Sequence, residues 1–156
     1  MERSQIFKEI SIGGLPKERL IDQLLAAGVK FNNYANILFE HPSFSPGTHT
    51  SIVKLFKVNL HDLKIQSPCS FQEILIKAAG VGLKPCPLYL GAFLRLEYLD
   101  QPEGPYLTVA SLQPESDESY PTGFYIRNLE NTRWLRGYRV DGEPDWPPEN
   151  EFVFMV

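Results

Sequence analysis

The apolar residues of this chain change their spacing along its length, and this change constrains the fold more than any other feature. In the first half they recur mainly at helical intervals, whereas from Phe93 onward apolar and polar residues alternate. A period of 3.6 residues indicates helices, and a period of two indicates strands that bury one face. Helices followed by a run of strands favour the α+β class. We therefore predict an antiparallel β-meander of about five strands in the C-terminal half, with helices from the N-terminal half packed on one face.

Three segments of the first half have the signals of helices. The first has an apolar stripe and ends at Gly28, a residue that suits the position just beyond a helix. The second covers residues 33–40 and is followed by a His-Pro pair, which stops a helix. The third begins at a capping box formed by Ser70 and Glu73 and ends at Gly80.

Strands are predicted from β-branched, aromatic and alternating residues. Ile6–Ile12 has some strand character, and Ile52–Leu60 is a stronger candidate. In Phe93–Tyr98, apolar residues alternate with Arg95 and Glu97, which predicts a half-buried strand. The remaining predicted strands are 106–111, 123–129, 132–140 and 152–155, with a hairpin between the middle two and a loop over 141–150.

Length, charge and cysteine content describe an ordinary intracellular domain. The 156 residues are enough for one hydrophobic core, so we predict a single α+β domain over 1–156. Lys8 and Glu9 interrupt the apolar run that a signal peptide needs, and the longest uncharged apolar stretch, Pro85–Leu94, is too short to span a membrane. We therefore expect a cytoplasmic protein without a membrane partner, in which Cys69 and Cys86 are packing residues.

The motifs of common cofactor and metal sites are missing from the sequence. It contains no phosphate-binding GxxxxGK[ST] loop, no dinucleotide-binding GxGxxG after a strand and no GxSxG nucleophile elbow. Its histidines and cysteines lack the spacing of a zinc site; they are His41, His49, His61, Cys69 and Cys86. We therefore predict neither a metal nor a cofactor.

Charged and aromatic residues of the second half form the candidate ligand-binding site. Arg95, Glu97 and Asp100 lie on one predicted strand and its turn, where Arg95 and Glu97 point the same way. A second strand carries three residues on one face, and the other arm of the hairpin carries an arginine; these residues are Trp134, Arg136, Tyr138 and Arg127. Together they predict a polar pocket with an aromatic wall. The alternative is a set of cross-strand salt bridges on the solvated side of a sheet.

The same hairpin has some features of a single-strand nucleic-acid site. Arginines alternate there with aromatic residues, as in proteins that stack bases and neutralise phosphates. However, Arg133 and Arg139 are predicted on the opposite face from Arg136, acidic loops flank the hairpin, and the net charge is −4. Nucleic acid is therefore an unlikely partner.

Two stretches of the second half resemble a family of small, uncharacterised bacterial proteins. The family core matches GLKPCPLYLGAFLRLEYLDQPEGPYLTVAS at 82–111, followed by GFYIRN at 123–128 and RWLRGYR at 133–139. The resemblance implies a one-domain cytosolic bacterial protein and brings no established activity or cofactor. It directs attention to Arg95, Asp100, Gln101 and the strand from Trp134 to Tyr138.

These observations leave three functions open. The first is a non-enzymatic binding or interaction module whose aromatic strands present an anchored interface to a protein or small molecule. The second is a small hydrolase or transferase in which Glu97 or Asp100 is the general base and Arg95 or Arg136 holds an anion. The third is single-strand binding. A monomer or weak homodimer is compatible with all three.

Overall fold

Seven strands form one mixed sheet, flanked by four helices, in the computed structural model, which describes residues 6–140 and 146–156. The strands are β1 (Ile6–Gly13), β2 (Lys30–Phe31), β3 (Thr50–Val58), β4 (Leu107–Val109), β5 (Gly123–Leu129), β6 (Thr132–Tyr138) and β7 (Glu151–Met155). The helices are α1 (Lys17–Ala26), α2 (Asn33–Glu40), α3 (Phe71–Gly80) and α4 (Leu90–Glu97), with a short 3-10 helix at His61–Leu63. Within these ranges no helix has the length and apolar character needed to cross a membrane.

The sheet order is β1-β3-β7-β4-β5-β6-β2, which confirms the α+β class but not the predicted meander. The pairs β4–β7 and β2–β6 are parallel, and the other neighbours are antiparallel. The N-terminal half supplies three of the strands, and the last strand of the chain lies between β3 and β4. The prediction of about five antiparallel strands in the C-terminal half is therefore confirmed only in part. Four of the five segments are strands, and β4, β5 and β6 are antiparallel neighbours, but β7 pairs with β4 in parallel and the fifth segment is a helix. Hydrophobic alternation identifies a strand and its buried face. It does not show which strands pair with it, because that depends on how the buried faces pack in the folded protein.

Helices cover both faces of the sheet, which corrects the prediction that they pack on one face. Alternation along β7 shows the two sides, because Val153 belongs to one hydrophobic core while Phe152 and Phe154 belong to the other. The Val153 side is packed against residues of α1, α2 and α4. The Phe152 side is packed against α3 and the 3-10 helix. The described sheet is therefore buried on both faces over part of its width.

Helix α4 replaces the strand predicted at Phe93–Tyr98. Leu90 and Leu94 are fully buried one turn apart, so the apolar run fits a helical period as well as a period of two. Leucine, alanine, arginine and glutamate also have high helix propensity. Gly91 lets the helix approach the sheet closely, since a Cβ there would lie 2.9 Å from the Cβ of Phe124. The sequence pattern of this segment is compatible with a strand and with a helix, and tertiary packing determines that it is a helix.

Other local predictions were confirmed. Helix α2 has the predicted bounds, and the Ser70 hydroxyl accepts a hydrogen bond from the Glu73 backbone N–H at 3.2 Å. The predicted β5–β6 hairpin turns at Glu130 and Asn131, both of which have positive φ, as a type I′ turn requires. Residues 141–145 of the predicted loop, and the first five residues of the chain, lie outside the described part of the structure.

The two cysteines are packing residues, as predicted. Cys86 belongs to the core on the α1, α2 and α4 side, and Cys69 belongs to the core on the α3 side. The Cys86 thiol contacts the Val153 carbonyl oxygen at 3.7 Å, and burial raises its pKa far above the ordinary value. A thiol in that state is not a nucleophile at neutral pH.

Substituting Ser70 with alanine should destabilise the start of α3. The hydroxyl satisfies an N–H group that the helix itself leaves unbonded, and losing such a cap lowers the free energy of unfolding by about 1 kcal/mol. Ser67→Ala, at an exposed position nearby, is the control. Equal urea midpoints for the two variants would show that the cap is without effect.

Candidate functional site

Arg95, a central residue of the predicted pocket, is fully buried and has a structural role. Its exposed fraction is 0%. Nη1 lies 2.8 Å from Gln101 Oε1 and 3.3 Å from the carbonyl oxygens of Arg127 and Trp134, and Nη2 donates to the Tyr98 carbonyl. Burial, together with the nearby charge of Arg133, lowers the pKa of Arg95 to about 10, so it stays protonated at neutral pH. The guanidinium ties α4 to both arms of the β5–β6 hairpin.

The segment after α4 is attached to the same hairpin by further hydrogen bonds. Gln101 donates through Nε2 to the Ile126 carbonyl at 3.3 Å and accepts through its own carbonyl from Asn128 Nδ2 at 2.9 Å. Two arginine Nε groups donate to carbonyls of this segment, Arg133 to Leu99 and Arg127 to Gly104. Three residues of the predicted ligand pocket, Arg95, Gln101 and Arg127, thus take part in a structural hydrogen-bond network.

Glu97 and Asp100 do not join Arg95 in a site. Because α4 is a helix, residues 95 and 97 face different directions, and the prediction that they point the same way was wrong. Glu97 and Asp100 are both exposed. Arg95 and Glu97 lie on a helix that packs on one side of the sheet, whereas Arg136 faces the other side. The geometry required for the predicted Arg–Glu pocket is therefore not present.

The hairpin face that we predicted from alternation was confirmed. Trp134, Arg136 and Tyr138 share it, and Arg127 lies directly opposite Trp134 on β5. The Arg136 guanidinium lies 4.0 Å from the centre of the Trp134 ring, a cation–π contact. Tyr138 is different because it is buried. Its hydroxyl donates to the Val109 carbonyl at 3.0 Å, and desolvation raises its pKa well above the ordinary value.

A groove of about 460 Å³ opens on the same side of the sheet, beside the first turns of α3. Its volume is in the range of sites that hold small molecules or single side chains. Five separate segments of the chain line it: the start of α3, the residue before β4, the loop over 112–122, the end of β6 and the segment from Trp146 to Asn150. Its apolar and aromatic lining residues are Phe71, Leu75, Tyr106, Leu112, Val140, Trp146 and Pro147.

Packed aromatic rings make one wall of the groove rigid. The Trp146 ring centre lies 6.2 Å from that of Phe71, 6.0 Å from that of Tyr138 and 5.1 Å from that of Phe152. The Trp146 backbone exchanges two hydrogen bonds with Cys69, at 2.9 and 3.2 Å. Trp146 is therefore fixed from both its ring and its main chain, and it presents a preformed apolar surface.

The loop over 112–122 also lines the groove and is held by contacts at several points. His41 Nδ1 accepts from the Ser43 backbone N–H, so Nε2 carries the proton that it shares with Glu115 Oε1 at 2.7 Å. The Tyr120 ring contacts His41, and the Asp117 carboxylate accepts from Ser119 at 2.8 and 2.9 Å. Leu112 is 66% exposed at the rim of the groove.

The polar groups of the groove suit hydrogen bonding more than catalysis. Three amide side chains line it, those of Gln72, Gln113 and Asn150. Glu118 is the single carboxylate among its described lining residues, and Arg139 donates to the Tyr34 hydroxyl at 3.0 Å. Thr122, at the floor, is fully buried and donates its backbone N–H to the Tyr138 carbonyl at 2.7 Å. Gln113 donates to the Asp117 carbonyl at 3.1 Å and Asn150 to the Tyr106 hydroxyl at 3.2 Å, which holds these two amides in place. An amide has two N–H groups and a carbonyl oxygen, so each can still pair with a peptide backbone.

Among residues 6–140 and 146–156, no three His, Cys, Asp or Glu side chains come together in a way that would hold a metal ion. No family model, curated protein or solved structure matches the chain significantly. The bacterial family that the 82–111 and 123–139 segments resemble therefore stays a prediction.

The sequence did not predict the groove. Its lining residues come from three distant parts of the chain, around Phe71, around Tyr106 and Leu112, and around Trp146, and they share no spacing pattern. They meet because β7 inserts between β3 and β4 and brings the preceding Trp146 segment beside α3. The only signal in the sequence is a tryptophan in a proline-rich loop.

Proposed function

We propose that this protein is a non-enzymatic binding module that receives an apolar side chain of a protein partner in the groove beside α3. The observation that carries the proposal is a groove lined by the packed rings of Trp146 and Phe71 and by the exposed Leu112. Buried aromatic anchors of this kind supply most of the binding energy in protein interfaces. The amide side chains at the rim would pair with the backbone on either side of the anchor.

The enzyme alternative receives less support from the geometry. General acid–base catalysis needs titratable groups within reach of one substrate. Arg95 is occupied by structural hydrogen bonds, and Glu97 and Asp100 are exposed outside the groove. Glu118 is the one carboxylate among the described residues that line the groove, and no histidine is among them.

The groove should bind a capped hydrophobic amino acid. When N-acetyl-tryptophanamide is titrated into isotope-labelled protein, we expect saturable NMR shifts of the backbone amides of Leu75, Leu112 and Thr122. N-acetyl-glycinamide, which lacks the side chain, should leave these signals in place. Saturable shifts confined to another surface would contradict the proposal.

Leu112→Ser should weaken that binding, because it removes an apolar wall of the groove without touching the core. Burying one leucine side chain contributes about 1.5–3 kcal/mol, and Leu112 is only partly covered, so a loss of about three- to ten-fold in affinity is expected. Ile52→Ser is a matched control, since Ile52 is 67% exposed and lies on β3 away from the groove. Equal losses in both variants would show that the groove is not the site.

A further inference from the structure

A continuous row of side chains leads from the groove across the open part of the sheet. We call Tyr106, Tyr125, Arg136 and Trp134 the aromatic–arginine row. The rings of Tyr106 and Tyr125 lie 5.0 Å apart, the Tyr125 hydroxyl lies 3.5 Å from Arg136 Nη1, and Arg136 stacks on Trp134. Since Tyr106 also lines the groove, the row and the groove form one surface.

The row extends the groove across the width of two strands. From Tyr106, Arg136 lies two strand spacings of about 4.8 Å across the sheet and two residues of about 3.4 Å along it. Because these two directions are perpendicular, Tyr106 and Arg136 lie about 12 Å apart. All four side chains are half-buried, so they are ordered and still accessible. A ligand that fills the groove and also reaches Arg136 spans this distance, as an extended peptide of a few residues does.

The row end of this surface is positively charged, because neither arginine there forms an ion pair among the described residues. Arg127 and Arg136 both face it, and each donates a hydrogen bond to a neutral group, Arg127 to the Gly104 carbonyl and Arg136 to the Tyr125 hydroxyl. The two ion pairs found among residues 6–140 and 146–156, His41–Glu115 and Lys57–Glu151, involve neither arginine. A guanidinium held against a tryptophan ring is already oriented to receive a carboxylate with two parallel hydrogen bonds.

We infer that the groove and the aromatic–arginine row together dock an extended acidic segment of a partner protein. This inference rests on the proposed function. The apolar anchor occupies the groove, and a carboxylate of the same segment binds Arg136. In an extended chain that advances about 3.3 Å per residue, the distance from Tyr106 to Arg136 places the carboxylate about three to five residues from the anchor.

A nucleic-acid strand fits the surface less well. It would place a phosphate at every nucleotide, and the groove end of the surface carries Glu118. The protein also has a net charge of −4, and Arg133 and Arg139 donate to partners on the α4 and α2 side of the sheet. Two arginines facing one or two carboxylates match an acidic peptide better than a polyanion.

Selection from a phage-displayed library of random dodecapeptides on the full chain tests the inference. The enriched peptides should combine a leucine, phenylalanine or tryptophan with an aspartate or glutamate three to five residues away. Replacing that acid with its amide in a labelled synthetic peptide should weaken binding about three- to ten-fold, the effect of losing a charge-assisted hydrogen bond at a partly exposed site. Raising the salt concentration should weaken binding of the acidic peptide more than that of its amide form.

Variants of the protein show which end of the peptide binds Arg136 and which end occupies the groove. Arg136→Gln should weaken binding of the acidic peptide and leave binding of its amide form unchanged. Arg19→Gln, at an exposed position of α1, should change the affinity for neither peptide. Enriched peptides without an acid, or an acid whose replacement has no effect, would overturn the inference and leave the groove proposal in place. If Arg136→Gln weakens binding of the acidic peptide and Leu112→Ser does not, the groove proposal is overturned instead. An absence of enrichment, or tighter binding of an oligothymidylate of equal length, would also overturn the inference.

Discussion

Arg95→Met is expected to lower the free energy of unfolding by about 3 kcal/mol, a large effect for one substitution. Methionine matches much of the arginine volume and relieves the burial of a charge. However, it leaves Gln101 Oε1 and the Tyr98 carbonyl without their donor. Replacing a buried charged residue together with its partners often leaves stability unchanged. Here the hydrogen-bond acceptors of Arg95 remain, so stability is expected to fall. Urea unfolding measures the difference.

The control for this substitution is Glu97→Gln, on the same helix but exposed. A surface change of this kind should alter stability by less than about 0.5 kcal/mol. Arg95→Met should nevertheless leave the groove intact, because α4 lies on the opposite side of the sheet. If the methionine variant were as stable as the natural chain, the hydrogen bonds of Arg95 would not be what attaches α4 to the hairpin.

Gly137→Ala is expected to destabilise the protein by about 2–3 kcal/mol through overpacking. A Cβ at this position would lie 2.7 Å from the backbone carbon of Tyr34 and 2.9 Å from the Ala35 nitrogen, so α2 would have to move. That helix is also fixed to the glycine, because Asn32 Oδ1 accepts from its N–H and Asn32 Nδ2 donates to its carbonyl. The first turn of α2 and the end of β6 therefore cannot separate without losing both bonds.

Gly80→Ala is the matched control for Gly137→Ala. A Cβ at Gly80 meets no atom within 4 Å, and the residue lies at the end of α3. Alanine there should be neutral or stabilising by up to about 1 kcal/mol, because it favours the helix. Thermal denaturation of the two variants separates a steric effect from a general effect of replacing glycine. Similar melting temperatures would contradict close packing between α2 and β6.

Local structure was predictable where a single residue type favours a particular backbone arrangement, as at a helix cap or a tight turn. Ser70 caps α3 with its own hydroxyl, and the Glu130–Asn131 turn adopts the left-handed conformation that asparagine tolerates. Helix α4 was not predictable in this way. Its buried positions include Leu90, Leu94 and Arg95, and a buried arginine in the middle of a short apolar run imitates the alternation of a strand.

The topology depended on contacts that are distant in sequence. Nothing in residues 151–155 indicates that β7 pairs with β3 on one side and β4 on the other. The same long-range pairing brings Trp146 to α3 and so creates the groove. Sequence reasoning therefore located the aromatic face of the hairpin correctly, at Trp134 and Arg136, but missed the cavity that this face leads into.

Acrylamide quenching of Trp146 tests the central claim most directly. In Trp134→Phe protein Trp146 is the only tryptophan, and it lines the groove. We expect N-acetyl-leucinamide, which does not fluoresce at these wavelengths, to protect Trp146 from the quencher in a saturable way, and N-acetyl-glycinamide to give no protection. If saturating N-acetyl-leucinamide leaves the quenching of Trp146 unchanged, the groove does not receive an apolar side chain and the proposed function is wrong.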